Sequence, residues 1–265
     1  MVRAMDIDPL LNTAKLPSPA PVVLTLYERL EHGSAEDIAE VIEADPAIAA
    51  RLLRLANSAF YGRSAVASIR DAVIRVGTVD VAALVLATEV MQLFRGIPTE
   101  RWNLQQFWEH SLLTACYSQT LAPPAIQARG APVWLCGLLH DIGKLLLARH
   151  YPTEYAQVLA QTDAGATLLE AEQTTFGHSH AAVGAALLQA WQLPGDLVVC
   201  AARHHEPYAG TDAVWSIVAA ANDLANEEEG VGGRLGMTAD KVTEVQEAAG
   251  ALYAGYRQLF REQLR

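Results

Sequence analysis

The chain has 265 residues, enough to bury a substantial core as one large domain or as two smaller ones sharing an interface. Half of it is hydrophobic (51%) but only 7% is aromatic, and its wealth of Ala and Leu favours closely packed helices over a sandwich or barrel. A formal charge of −11 weighs against a general nucleic-acid binder, because a phosphate backbone is normally met by a basic surface, so no nucleic acid is expected as a partner.

In chain order, residues 1–19 read as a mobile lead without the long apolar core of a signal peptide, ending in the proline-rich KLPSPAP. Helices are expected at 22–32, 35–43 and 47–57. Ser34 with Glu36 and Asp37 supplies a cap and first-turn acids for the second, and Asp45-Pro46 a cap and first-turn proline for the third. Ile48, Leu52, Leu53, Leu55 and Ala56 fall largely on one helical side and read as core. Ser68 and Asp71 open a short helix that Gly77 closes, and a helix over 78–94 follows before GIPTERW breaks the pattern. This gives an N-terminal helical lobe over 20–98.

The remaining 99–265 form a second helical lobe, with helices expected at 103–121, 131–149, 152–161, 165–173, 179–192, 196–206, 212–228 and 238–262. Strand signals are scarce, and the fold class is all-α. The segment EEEGVGGRLG, 227–236, reads as an exposed loop and lacks the preceding strand and GKS or GKT ending of a phosphate-cradling loop. The most apolar run, APVWLCGLLHDIGKLLLA, is interrupted by Asp141 and Lys144 and therefore reads as a buried helix, not a membrane span. Cys116, Cys136 and Cys200 form no CxxC pair and read as small buried hydrophobes in a reducing compartment, so a cytoplasmic location is expected. Neither a cysteine nucleophile nor a G-x-S-x-G elbow is evident, and Trp108, Trp134 and Trp191 read as packing residues.

The chemistry lies in a set of histidines and acids. An isolated histidine in a helical protein is ordinarily a surface residue, a cap or a satisfied polar group; here the combination carries the argument. His110 lies in FWEHSLLTA, His140-Asp141 inside GLLHDIGKLLL, His180 at the start of HAAVGAALL, and His204-His205 at the end of VVCAARHHEP. Neighbouring residues on a helix diverge by about 100°, so His140 and Asp141 meet one ion only with suitable rotamers or at a helix end. A primary site of His110, His140, Asp141 and Asp223 is expected, with His180, His204 and His205 completing a second in which Asp141 bridges two ions. The competing reading of Asp223 is a solvent-facing acid. His178 is less apt than His180, since GHSH also suits a helix cap through Ser179. Mixed imidazole and carboxylate ligands suit Fe, Mn, Ni, Co or Zn, as a mononuclear or dinuclear centre. Lys144, one turn after His140, is placed to bind or stabilise a phosphate, its alternative being a snorkelling lysine or an ion-pair partner.

The segments LPSPAPVVLTLYERL, DPAIAARLLRLANSAFYG, SIRDAVIRVG, GLLHDIGKLLLARHYP, FGHSHAAVGAALLQAWQLP and AARHHEP, spread in order over roughly 15–210, closely resemble the HDOD family, the HD-related output domains of bacterial signalling proteins. The resemblance implies an N-terminal helical lobe followed by an HD-like lobe. It also implies kinship with HD and HD-GYP phosphohydrolases, many HDOD members having lost the complete metal site. This chain keeps a ligand order like that of HD-GYP enzymes but has AARHHEPYAGTDA where their GYP segment stands, which favours metal binding over cyclic-di-GMP hydrolysis. Two functions follow: a signalling or regulatory domain acting through a protein partner or a small phosphorylated ligand, or a metal-dependent hydrolase of a phosphomonoester, nucleotide or cyclic nucleotide. The acidic surface suits a basic protein partner, and a homodimer through apolar helical faces is a further expectation.

Overall fold

In the computed structural model, residues 17–18, 21–30, 34–57, 61, 64–97, 102–127, 132–261 and 264 are described; all are helix, turn or connection, with no strand among them. Five helices come first: α1 (Pro21–Leu30), α2 (Ala35–Glu43), α3 (Pro46–Ala56), α4 (Ile69–Val76) and α5 (Thr78–Leu93). Their starts follow local cap chemistry. Ser34 and Asp37 form a capping box on α2, the Asp45 carboxylate accepts from the Ala47 and Ile48 amides at the head of α3, and the Ser68 hydroxyl accepts from the Asp71 amide on α4. Between α4 and α5 the chain turns at Gly77, whose φ of 94° a side chain would oppose. α5 is buried nearly all round from Val81 to Met91 and packs against α1, α3, α4 and also α8 (Val133–Leu139). The expected lead lies outside the described residues except at Pro17 and Ser18, where the Pro17 carbonyl accepts from the Trp191 indole at 2.6 Å. The expected lobe boundary near residue 98 also lies outside them.

The other helices are α6 (Leu104–Leu121), α7 (Pro124–Gln127), α9 (Ile142–His150), α10 (Pro152–Asp163), α11 (Leu168–Phe176), α12 (His180–Ala190), α13 (Gly195–Arg203), α14 (Val214–Ala225), α15 (Val231–Arg234) and α16 (Ala239–Leu259). α6 is the hub, lying against α8, α14 and α16, while α9 crosses α12 and α13 bridges α12 to α14. Trp134 stacks between α8 and Phe260 and Tyr256 at the far end of the chain, and Trp108 is buried beside Phe107. The three cysteines are buried and unpaired, as small hydrophobes.

Three expectations about helix limits are corrected. The single helix over 131–149 is two, because the chain turns at His140-Asp141 and restarts at Ile142. The helix over 165–173 runs from Leu168 to Phe176, since Thr167 and Glu170 make a capping box that fixes its start. The loop 227–236 contains the short α15, anchored by buried Val231.

Close approach of α9 and α12 builds the site. A Cβ at Gly143 would stand 2.0 Å from the His180 carbonyl oxygen and 2.7 Å from the Gly184 amide, so only glycine lets the two backbones touch. That contact sets the first residue of α12, His180, beside the residue preceding α9, Asp141.

A candidate metal centre

Asp141 stands at the middle of four imidazoles. Its Oδ1 lies 3.1 Å from His180 Nε2 and 3.3 Å from His204 Nε2; its Oδ2 lies 3.3 Å from His140 Nε2, 3.9 Å from His110 Nε2 and 2.5 Å from the Lys144 ammonium. The break between α8 and α9 makes this arrangement: His140 ends one helix and Asp141 precedes the next, so adjacent side chains that would diverge along a continuous helix converge. His140, Asp141, His180 and His204 are buried, His110 is partly buried and His205 is exposed at the solvent edge.

Three of the rings are locked in one orientation by their other nitrogen. His140 Nδ1 donates to the Gly137 carbonyl at 2.7 Å and His204 Nδ1 to the Ala201 carbonyl at 2.9 Å, each reaching back three residues at a helix C-terminus. His180 Nδ1 donates to Glu172 at 2.7 Å. With Nδ1 as the donor, each ring presents its Nε2 to the Asp141 carboxylate, and three such nitrogens converging on one acid are an arrangement suited to a cation. The Nε2 of His140 and Oδ1 of Asp141 are buried without a hydrogen-bond partner.

Burial sets the charge of the rings. It holds His110 down to about 4, helped by neighbouring His140, and His204 down to about 4 against the pull of Asp141. His205 is lowered as well, by desolvation on the side of its ring that faces the cluster and by the charges of His204 and His180. His180 is the exception: burial and Lys144 push it down, but the carboxylates of Asp141 and Glu172 on either side of the ring prevail and leave it raised. Burial opposes the charge of Asp141, yet His140 and Lys144 outweigh it and hold the carboxyl well below the usual range.

Two ligand groups share Asp141. Asp141, His180, His204 and His205 offer ligand atoms within 4.8 Å of one another, as do His110, His140 and Asp141. In the first group His180 Nε2 is 3.3 Å from His204 Nε2 and 3.0 Å from His205 Nε2. Ligands bonded to one ion at about 2.1 Å stand roughly 3.0–3.4 Å apart in octahedral or tetrahedral spheres, and the spacings of His180 Nε2 from Asp141, His204 and His205 fall in that range. On the second group's side Lys144 already neutralises Oδ2, and His110 Nε2 meets the Asn222 amide oxygen at 3.1 Å.

The expected primary ligand Asp223 is placed apart from both groups. Its carboxylate accepts from Tyr208 and from Arg234, each at 2.8 Å, while its neighbour Asn222, buried on α14, turns toward His110. The roughly 100° between adjacent helical positions decides which of the two faces the cluster. His178 belongs to neither group. Asn222 and Glu172 are the contributors sequence reasoning passed over. Glu172 carried a faint signal, an acid between Ala171 and Phe176 on the buried side of α11.

Known proteins are similar in both sequence and fold. An uncharacterized protein of Treponema pallidum (strain Nichols) is 30% identical over 179 residues, covering 65% of this chain, which spans only 34% of that protein's length. The crystal structure of an HDOD domain protein of unknown function from Geobacter sulfurreducens is 25% identical, with a TM-score of 0.77 and 95% of each chain covered. That of a Shewanella amazonensis SB2B protein named "Putative phosphohydrolase" is 26% identical, with a TM-score of 0.72, covering 96% of this chain and all (100%) of that one. The HDOD domain pattern itself matches residues 16–207, which takes in every histidine of the cluster, and the chain belongs to the HDOD domain family.

Proposed function

We propose that this chain is an HDOD regulatory protein that holds one divalent metal ion through Asp141, His180, His204 and His205, and that acts by binding a phosphorylated ligand or a signalling partner at that centre. The observation that carries this reading is the set of three rings fixed through Nδ1 with Nε2 aimed at one buried carboxylate. A nitrogen-rich set with a single carboxylate suits Zn, Fe, Co or Ni, with Mn the harder alternative. His205 at the solvent edge gives the centre an approach from outside, and Lys144 supplies a positive charge beside it. No helix of the described residues is long and apolar enough to cross a membrane.

A second reading, metal-dependent phosphohydrolysis, draws on the likeness to the Shewanella protein and on the pairing of a lysine with the cluster. A bound ion there supplies Lewis acidity to a phosphoryl oxygen or to water. Lys144 would then orient the phosphate by charge, and the imidazoles that present Nε2 to Asp141 would serve as ligands and not as proton donors. Among the described residues no second acid joins Asp141 in the His110 and His140 group, where Asn222 meets His110 instead, and this supports binding over two-metal hydrolysis.

Elemental analysis of gently purified protein, with Asp141→Ala prepared alongside, tests the centre. Close to one ion per chain in the wild type and little in the variant is expected; a wild type that is metal-free and takes up no added Zn, Fe, Mn, Co or Ni refutes it. The loaded protein is then screened with p-nitrophenyl phosphate, nucleotides and cyclic nucleotides, where turnover abolished by Asp141→Ala establishes the second reading in place of the first.

A further inference from the structure

Glu172 is a fully buried acid in the middle of α11. One of its oxygens, Oε2, accepts two hydrogen bonds, from the His180 backbone amide at 2.8 Å and from His180 Nδ1 at 2.7 Å. The other, Oε1, is buried with no hydrogen-bond partner. Burying a carboxylate is costly, and a helix cap does not call for one here, because Ser179 already caps α12 through the Ala182 amide. A neutral amide or hydroxyl would satisfy the His180 amide at lower cost. What a carboxylate adds is negative charge on the far side of the imidazole from Asp141.

We propose that Glu172 is a positioning residue for the metal centre: it fixes His180 as the tautomer with Nδ1 protonated and Nε2 free, and strengthens that nitrogen as a ligand. This rests on the metal-binding reading above. His180 is the ring on which the strength of the centre turns, since its Nε2 is within 3.3 Å of Asp141 Oδ1, His204 Nε2 and His205 Nε2 alike. A carboxylate behind a ligating imidazole holds the ring plane, fixes the proton and makes the free nitrogen a better donor. His140 and His204 are backed by neutral carbonyls, so among these three rings His180 has the charged support.

Glu172→Gln separates charge from shape. Its amide oxygen can accept both hydrogen bonds that Oε2 accepts, so the cap and the packed volume persist while the charge is lost. Co2+ affinity is measured by chelator competition on the full chain, with the visible spectrum as a second readout and thermal unfolding of the metal-free protein as a control for folding. The expected result is a Kd weaker by roughly tenfold or more, with a changed cobalt spectrum. Equal Kd and spectrum in wild type and variant overturn the role of Glu172 and leave the metal centre standing, even where stability falls. A wild type that binds no Co2+ overturns the metal reading and this role with it. Should the variant fail to fold, histidine nitrogen-15 NMR of the Zn2+-loaded wild type decides: Nε2 coordination with Nδ1 protonated at His180 supports the proposal, and Nδ1 coordination overturns it.

Discussion

Asn222 turns its amide oxygen to within 3.1 Å of His110 Nε2 and so stands where a carboxylate would complete the His110 and His140 side of the centre. An amide oxygen is a weak ligand beside an ionised carboxylate. Asn222→Asp is therefore expected to raise metal content above the one ion per chain proposed for the wild type, read by elemental analysis after equilibration with Mn2+ or Fe2+. Unchanged stoichiometry would show that the Lys144 charge, not the missing carboxylate, keeps a second ion out.

The adjacent acid has a different task. Asp223 accepts from Arg234 and Tyr208 and ties α14 to α15, its neighbour Glu228 adding a weaker contact at 3.7 Å to the same guanidinium. Arg234 is 38% exposed, so screening discounts the pair, and Asp223→Asn is expected to cost about 1 kcal/mol of stability. Metal content should not change. A variant that loses metal while keeping its unfolding midpoint would return Asp223 to the ligand set.

Gly143 and Gly184 form the contact that brings α9 to α12, but unequally. A Cβ on Gly143 meets the His180 carbonyl oxygen at 2.0 Å, whereas one on Gly184 meets the Gly143 amide nitrogen at 3.1 Å. Gly143→Ala must push the helices apart and is expected to cost about 3 kcal/mol and to abolish metal uptake, because His180 moves away from Asp141. Gly184→Ala should be milder in both respects. Full metal binding by Gly143→Ala would show that this crossing does not set the ligand geometry.

The folding pattern was legible where its causes are local. Ser34 with Asp37, Asp45-Pro46 and Ser68 with Asp71 mark helix starts within four residues of sequence, and all three caps are present. The break at His140-Asp141 was not, because the apolar run through it reads as one helix and the interruption is stabilised by packing of Gly143 on α12, a contact 37 or more residues distant. The choice between Asn222 and Asp223 turns on helical phase, which a run of alanines before them does not fix. Glu172 looks like an ordinary acid on an amphipathic helix until α12 supplies the ring it holds.

Metal-free protein should lose stability in mild acid. His110 and His204 are held to about 4 against 6.5 for an ordinary histidine, so the unfolded chain binds more protons between those values and stability falls as pH drops from 6.5 to 4. His180, raised, works in the opposite sense: its contribution is present below 6.5 and is lost as pH rises through its folded value. Asp141, depressed well below 3.8, loses its contribution only at still lower pH. The lowered rings, His205 among them, outnumber the raised one, so a net loss of stability over the window is expected, measured by urea unfolding after chelation. A flat profile from pH 7 to 4 would mean that these rings are not buried in the neutral form.

Lys144 separates charge balance from ligand binding. Its ammonium rests on Asp141 Oδ2 at 2.5 Å and is only partly exposed, so it neutralises the side of the carboxylate that faces His140 while Oδ1 remains turned to His180 and His204. Lys144→Met keeps the length and apolar stem of the side chain and removes the charge. The metal held on the Oδ1 side should stay, since none of its ligands is touched, and the vacated Oδ2 should draw cations more strongly. Inorganic phosphate binding to the metal-loaded protein, measured by calorimetry, should weaken roughly tenfold, the loss of one charge-assisted contact. Equal phosphate affinity in wild type and variant would make Lys144 a structural partner of Asp141 alone, and loss of metal would show that its ammonium is needed to keep Asp141 in place.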